Sequence, residues 1–246
     1  MPLYERLTTT NKVLLYIPNL IDYLRAILMF ISFLFMEKRP ILFLFLYAAC
    51  AFLDALDGYF ARKYRQTSKV GSLLDLLIDM MATTCLVMYL ATTESYKKYT
   101  FLFQIWVFFT ITGHWAHQYA SILRGDVSHK SNDENRSIVL RLYYKTRWGL
   151  ALLVMMNEVF FMGLYVQDSF GDDNWYVDNQ YYSQQIIVWT TKISFFFMAM
   201  KTFISAMHLK DAVWSLASME KTRNRLESER VRESKLQADD EGENLA

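Results

Sequence analysis

Residues 50–85 read CAFLDALDGYFARKYRQTSKVGSLLDLLIDMMATTC. Four aspartates, Asp54, Asp57, Asp75 and Asp79, stand among leucines, phenylalanines and methionines suited to lipid. Ionisable side chains within an apolar helix are costly, and they face a bundle interior or a water-filled cavity. Asp54 and Asp57 are three residues apart, and Asp75 and Asp79 four. On helices each pair therefore projects from one face, one turn apart. Two facing helices would bring all four carboxylates into a small volume near a membrane surface.

The surrounding sequence is of the same kind. Of the 246 residues, 53% are hydrophobic and 16% aromatic, and only three are proline. The apolar residues form long runs rather than short amphipathic stripes. About 20 mostly apolar residues span a bilayer as a helix. Residues 15–36, 41–61, 72–92, 100–121, 148–167 and 185–207 are candidate spans. The expected fold is an all-α integral membrane protein of six transmembrane helices, with residues 1–208 as the membrane domain and 209–246 as a charged tail.

The net charge of +1 conceals a sorting of basic residues along the chain. Nineteen of the 26 Lys and Arg lie on one side of the expected spans: before the first, in the second and fourth connections, and in the tail. The alternate connections hold only Lys38, Arg39, Lys97 and Lys98, and residues 168–184 hold none. The positive-inside rule then places both termini, and the basic connection between the aspartate pairs, in the cytosol. Residues 1–12 do not read as a cleavable signal peptide. Cys50 and Cys85, in or beside apolar spans, are expected to pack rather than pair. The tail from Lys210 to Leu236 reads as a solvated helix fraying into the acidic ADDEGENLA. No nucleic-acid partner is expected.

Four anions in a low dielectric cannot all remain ionised without cations. The second and third spans hold no Lys or Arg deeper than Arg62. Hard divalent cations, Mg²⁺ or Mn²⁺, accept all-oxygen ligand sets. Two such ions can share carboxylates and clamp a diphosphate for in-line displacement. Gly58 and Ala61 strip one helical surface of bulk, either for a ligand or for helix packing. Arg62 can hold a phosphate bidentately or anchor the span at the membrane surface.

Together these residues read Asp54-x2-Asp57-Gly58-x2-Ala61-Arg62-x8-Gly71-x3-Asp75-x3-Asp79. Every fixed position and spacing resembles the signature of the CDP-alcohol phosphatidyltransferase family. The resemblance implies six membrane helices around a polar, cytosol-facing active-site cavity. It implies that Asp54 and Asp75 bridge two metal ions, Asp57 binds the first and Asp79 the second. Asp79 would also be the base that takes the proton of the attacking alcohol. Gly58, Ala61, Arg62 and Ser68 would contact the cytidine diphosphate of CDP-diacylglycerol. Near the first span, IPNLIDYLR resembles a family sequence whose Asn19 and Arg25 lie on the nucleotide side. There Pro18 also suits a helix start and Asn19 a cap, and Arg25 needs an anionic partner such as a phosphate or Asp22.

The stretches TGHWAHQYASILRGDVSHK, RLYYKTR and NEVFF resemble the inositol-using eukaryotic branch of that family. Asp22 and Tyr59 depart from its pattern, at positions outside the signature. The acceptor implied is myo-inositol, with His114, His117, Ser128, His129 and Lys130 as candidate contacts. For His114 and His117, hydrogen bonding between helices is the alternative. Asn157 and Glu158 are expected to be buried structural partners. A homodimer in the endoplasmic reticulum follows from the same resemblance. Transfer to serine or glycerol phosphate is the alternative within the class, and a divalent-cation transporter the alternative outside it. Intramembrane prenyl transferases also pair DxxxD motifs, but usually far apart in the chain.

Overall fold

The computed structural model describes residues 12–124, 147–170 and 180–243. These residues form six long α-helices and contain no strand. They are α1 (Ile17–Phe33), α2 (Pro40–Lys63), α3 (Lys69–Leu90), α4 (Thr100–Arg124), α5 (Arg147–Phe170) and α6 (Gln180–Glu243). Each overlaps one expected span, although α6 extends well beyond its span. By length and composition, α2, α3 and the Gln185–Glu233 part of α6 can cross a membrane. The protein is an integral membrane protein.

α1 displays the logic of a chain whose outer solvent is lipid. Its buried stripe is Pro18, Asn19, Asp22, Arg25, Met29 and Ser32, recurring every three or four residues. Leu20, Leu24, Ile27 and Phe30 are exposed on the other faces. Polar groups inside and hydrocarbon outside is the arrangement expected where water is absent from the perimeter. Phe45 and Phe52 on α2, Met88 on α3 and Phe196 on α6 continue the apolar exterior.

α1 ends earlier than the apolar run predicted. Beyond Phe33 the chain tightens into i→i+3 bonds, with Leu34 N–H donating to Ile31 and Phe35 N–H to Ser32. Pro40 opens α2, and the residue before a proline is pushed out of the helical region. The turn is captured from α5, where the Tyr165 hydroxyl donates to the Met36 carbonyl at 2.7 Å. Asn19 does not cap α1. The cap position is Tyr16, without a side-chain bond, and the Asn19 amide donates to the Val13 carbonyl at 2.7 Å.

The chain divides into two compact units. The first comprises Met1–Val107 with Met155–Phe196. Within it Met29, Cys50, Ile78 and Ala82 form an apolar cluster joining α1, α2 and α3, against which Tyr47 packs. Cys50 is buried there, and both cysteines are unbridged. The second unit comprises Phe108–Val154 with Phe197–Ala246. Leu153 and Ile204 pack there with Phe197 and Met207, and Gly113 of α4 meets the backbone of Ser205 in α6. The expected fraying of the tail is not seen. α6 continues into the acidic segment as far as Glu243, because the first glycine after Gly171 is Gly242 and no proline intervenes. Arg225 pairs with Glu229 one turn on, at 2.8 Å.

A β-carbon on Gly113 would collide with Ser205 backbone atoms, which cannot rotate aside as a side chain can. Gly113→Ala should therefore destabilise the second unit by about 1–3 kcal/mol. A lowered midpoint in thermal unfolding of the detergent-solubilised protein would register the loss, and an unchanged midpoint would refute the contact.

Candidate active site

A short connection sets the two aspartate pairs against each other. α2 ends at Lys63, and α3 begins at Lys69. Between them Arg65 adopts a left-handed φ of 54°, a conformation that commonly ends a helix but costs a non-glycine residue about 1–2 kcal/mol. Gln66 N–H returns to the Ala61 carbonyl at 2.9 Å. The Gln66 carboxamide oxygen accepts from Ile17 N–H at 3.0 Å, tying the connection to the start of α1. Ser68 caps α3 by accepting from Gly71 N–H at 3.0 Å.

Gly71 has a steric reason. A β-carbon there would lie 2.6 Å from the Asn19 Oδ1. Asn19 is fully buried, and its Oδ1 has no hydrogen-bond partner among the described residues. α1 and α3 can thus approach closely only while position 71 lacks a side chain. At Gly58 the nearest atoms to an added β-carbon belong to Arg62, at 3.4 Å and beyond. Among the described residues, what an added β-carbon at Gly58 would meet first is the Arg62 side chain rather than a neighbouring helix. Ala61 is half-buried, and Arg62 is exposed.

Asp54, Asp57, Asp75 and Asp79 converge as their spacing predicts, and a fifth carboxylate, Asp22 of α1, joins them. At the centre is the Arg25 guanidinium, 1% exposed. Its Nη1 donates to Asp22 at 3.1 Å, Asp57 at 2.7 Å and Asp75 at 3.0 Å. Its Nη2 donates to Asp79 at 2.7 Å and contacts Asp54. The counter-charge absent from the second and third spans thus comes from the first, where Arg25 lies two turns in. One guanidinium against five carboxylates leaves the cluster formally four charges short of neutrality, so the site still calls for cations.

The carboxylates form two overlapping groups. Asp22, Asp57 and Asp75 present oxygens within 4.8 Å of one another, as do Asp54, Asp75 and Asp79. Asp75 belongs to both, which suits a bridging ligand. Oxygen donors alone fit Mg²⁺ or Mn²⁺. The inner group is closed at Asp22 and Asp57, whose side chains are 2% and 11% exposed. The outer group is open: Asp54, Asp75 and Asp79 are 42%, 44% and 52% exposed. Ligands can approach on that side, where Asp79 stands.

Glu158 supports the site from one turn deeper. It accepts from the Tyr47 hydroxyl at 2.8 Å, the Thr83 hydroxyl at 2.6 Å and the Asn157 amide at 3.3 Å. Thr83 also donates to the Asp79 carbonyl at 3.3 Å. Asn157 is buried as expected, while Glu158 is half-buried, and the two are hydrogen-bonded to each other.

In the second unit, His114 of α4 donates from Nδ1 to the Thr110 carbonyl at 2.8 Å. The His117 ring lies 4.6 Å from that of His208 in α6, and the His114 ring 6.2 Å away. His208 went unnoticed in the sequence because nothing nearby in the chain marks it. Among the described residues the groups able to hold a metal are the two aspartate sets. Ser128, His129 and Lys130 lie outside the described residues. Asp22 did carry a signal: it precedes Arg25 by one turn on the same face.

Comparison with known proteins follows the same line. Residues 15–206 match the family described as CDP-alcohol phosphatidyltransferase. A Saccharomyces cerevisiae protein named CDP-diacylglycerol–inositol 3-phosphatidyltransferase is 39% identical over 209 residues, covering 85% of this chain and 89% of its own. A Candida albicans protein of that name is 42% identical over 158 residues, 64% of this chain and 68% of its own. The Homo sapiens protein so named is 38% identical over 156 residues, 63% and 72% of the two chains. No solved structure matches the chain.

Gly71→Ala should lower thermal stability by about 1–3 kcal/mol, through the clash with Asn19. Shortening the opposing side chain in Asn19→Ser/Gly71→Ala should recover part of that loss. Simple additivity of the two substitutions would show that the residues do not meet.

Proposed function

The chain belongs to the CDP-alcohol phosphatidyltransferase family, and from that premise we propose that it is a CDP-diacylglycerol–inositol 3-phosphatidyltransferase. The reaction moves the phosphatidyl group from CDP-diacylglycerol to myo-inositol and releases CMP. The observation that carries this reading is the convergence of the complete aspartate signature on one partly open site. Relatives bearing that enzyme name, 36–42% identical, supply the acceptor.

Asp54, Asp57, Asp75 and Asp79 would hold two divalent cations, Mg²⁺ or Mn²⁺, with Asp75 common to both. When bound, such cations neutralise a diphosphate and stabilise the CMP leaving group. The open face beside Gly58 and Ala61 admits the cytidine diphosphate, and Arg62 and Ser68 lie at the ends of the helices bordering it. An inositol hydroxyl oxygen attacks the phosphorus that bears diacylglycerol. The bond from that phosphorus to the CMP oxygen breaks, and the hydroxyl proton passes to Asp79. Asp79 suits this task because it is the most exposed carboxylate of the cluster, while Thr83 and Glu158 hold its helix from below. A base must lie within hydrogen-bond reach of the proton it removes. His114, His117, Ser128, His129 and Lys130 would supply donors and acceptors for the inositol hydroxyls, the means of rejecting other alcohols. The enzyme works as a homodimer in the endoplasmic reticulum. Six spans cross the membrane, residues 1–208 form the membrane domain, and the site, both termini and the tail face the cytosol.

Purified protein should release CMP from CDP-diacylglycerol only with myo-inositol and Mg²⁺ or Mn²⁺ together. Release supported by serine or glycerol 3-phosphate instead would identify a different transferase. Asp79→Asn should lose at least about 10²-fold in turnover with folding left nearly intact, and retained turnover would remove Asp79 as the base. In a Cys50→Ala/Cys85→Ala background, Gln66→Cys should react with an impermeant thiol reagent from the cytosolic side only, and Asn174→Cys from the opposite side only. Labelling of both from one side would break the six-span topology.

A further inference from the structure

The two terminal nitrogens of Arg25 divide between the two carboxylate groups. Nη1 bonds Asp22, Asp57 and Asp75, the members of the inner group. Nη2 bonds Asp54 and Asp79, which with Asp75 form the outer group. One guanidinium therefore spans both sets of oxygens that would serve as cation ligands. We propose that Arg25 is a built-in counter-cation: it occupies the paired-cation site while metal is absent, and it must leave before divalent cations bind. The inference rests on the functional reading above and concerns how that same site is kept assembled and loaded.

Three physical points lead there. A guanidinium remains charged at any pH a protein survives, so it cannot become a neutral neighbour to incoming cations. Carboxylate lone pairs engaged with N–H donors at 2.7–3.1 Å are the same ones that cations require. Five carboxylates drawn from three helices would also repel one another and open the bundle if nothing positive lay between them. Asp22 strengthens this arrangement. It lies one turn from Arg25, is buried with it, and holds the guanidinium against the inner group.

The Arg25 Nε has no hydrogen-bond partner among the described residues, so the carboxylates are held entirely through the two terminal nitrogens. When those contacts are surrendered to cations, the diphosphate arriving with them becomes the next anion for the guanidinium. This unites the contact expected on the nucleotide side with the one observed at the carboxylates. The consequence is measurable without turnover: the metal-binding fraction of the protein is limited by displacement of Arg25, so apparent cation affinity falls below the intrinsic value.

The test uses full-length protein in detergent, stripped with EDTA and titrated with Mn²⁺ alone. Bound metal is followed by electron paramagnetic resonance, and unfolding by tryptophan fluorescence. Arg25→Gln should bind Mn²⁺ about tenfold or more tightly than the wild type, because no displacement precedes binding. Its unfolding midpoint in EDTA should lie below the wild-type value, and Mn²⁺ should raise it by more than it raises the wild type. Equal or weaker Mn²⁺ binding, or an equal rise in both midpoints, overturns the proposal. If Arg25→Gln is recovered unfolded, Arg25→Lys decides the question. Its single ammonium cannot span both groups, so Mn²⁺ should bind about threefold or more tightly than to wild type, and parity overturns the proposal. The wild-type acceptor assay separates the two readings. CMP release without inositol removes the functional assignment and leaves the Mn²⁺ comparison standing. Normal inositol transfer with unchanged Mn²⁺ affinity removes the counter-cation alone.

Discussion

Arg25 bonded to five aspartates is the interaction on which the rest of this structure depends. The carboxylates come from α1, α2 and α3, and in a hydrocarbon surround none is tolerable alone. A single buried guanidinium offsets part of their mutual repulsion, and its contacts to all five relate the depths of the three helices to one another. Such a cluster adds little net stability compared with a packed apolar core, but removing one partner leaves the remaining charges exposed to one another. Its contribution is therefore better described as register than as adhesion.

Adhesion comes from the layers on either side. Below the cluster, Met29, Cys50, Ile78 and Ala82 interlock the three helices, while Tyr47, Thr83 and Glu158 bind α2 and α3 to α5. At the other end, Gly71 lets α3 close on Asn19, and Gln66 fastens the α2–α3 connection to α1. The site thus has a rigid floor and a pinned rim. Between them the inner carboxylates are sealed and the outer ones open. That gradient gives residues of identical chemistry different surroundings: Asp22 and Asp57 are sealed, while Asp54, Asp75 and Asp79 are accessible.

Much of this was legible without coordinates. Apolar runs marked all six helices, and the Asp54–Asp57 and Asp75–Asp79 spacings placed each pair on one helical face. Helix ends were less legible. α1 stops at Phe33, where the chain passes into i→i+3 bonds and the Tyr165 hydroxyl holds the Met36 carbonyl, and α6 runs through a segment whose acidity suggested fraying. Asn19 suits a cap by residue type, but its amide bonds a carbonyl before the helix instead. His208 is more than 90 residues from His114 and His117, and only the packing of α6 on α4 joins them.

The sequence by itself determined the solvent, the helices, the signature and the chemistry, because each of these is carried by residue type and local periodicity. Only the tertiary structure decided which cation faces the aspartates. Arg25 precedes Asp54 by 29 residues and Asp79 by 54, and no periodicity links positions on separate helices. Depth along the helix and rotation about its axis bring them together. Both are settled by the mutual packing of α1, α2 and α3, through which five repelling charges meet the Arg25 guanidinium.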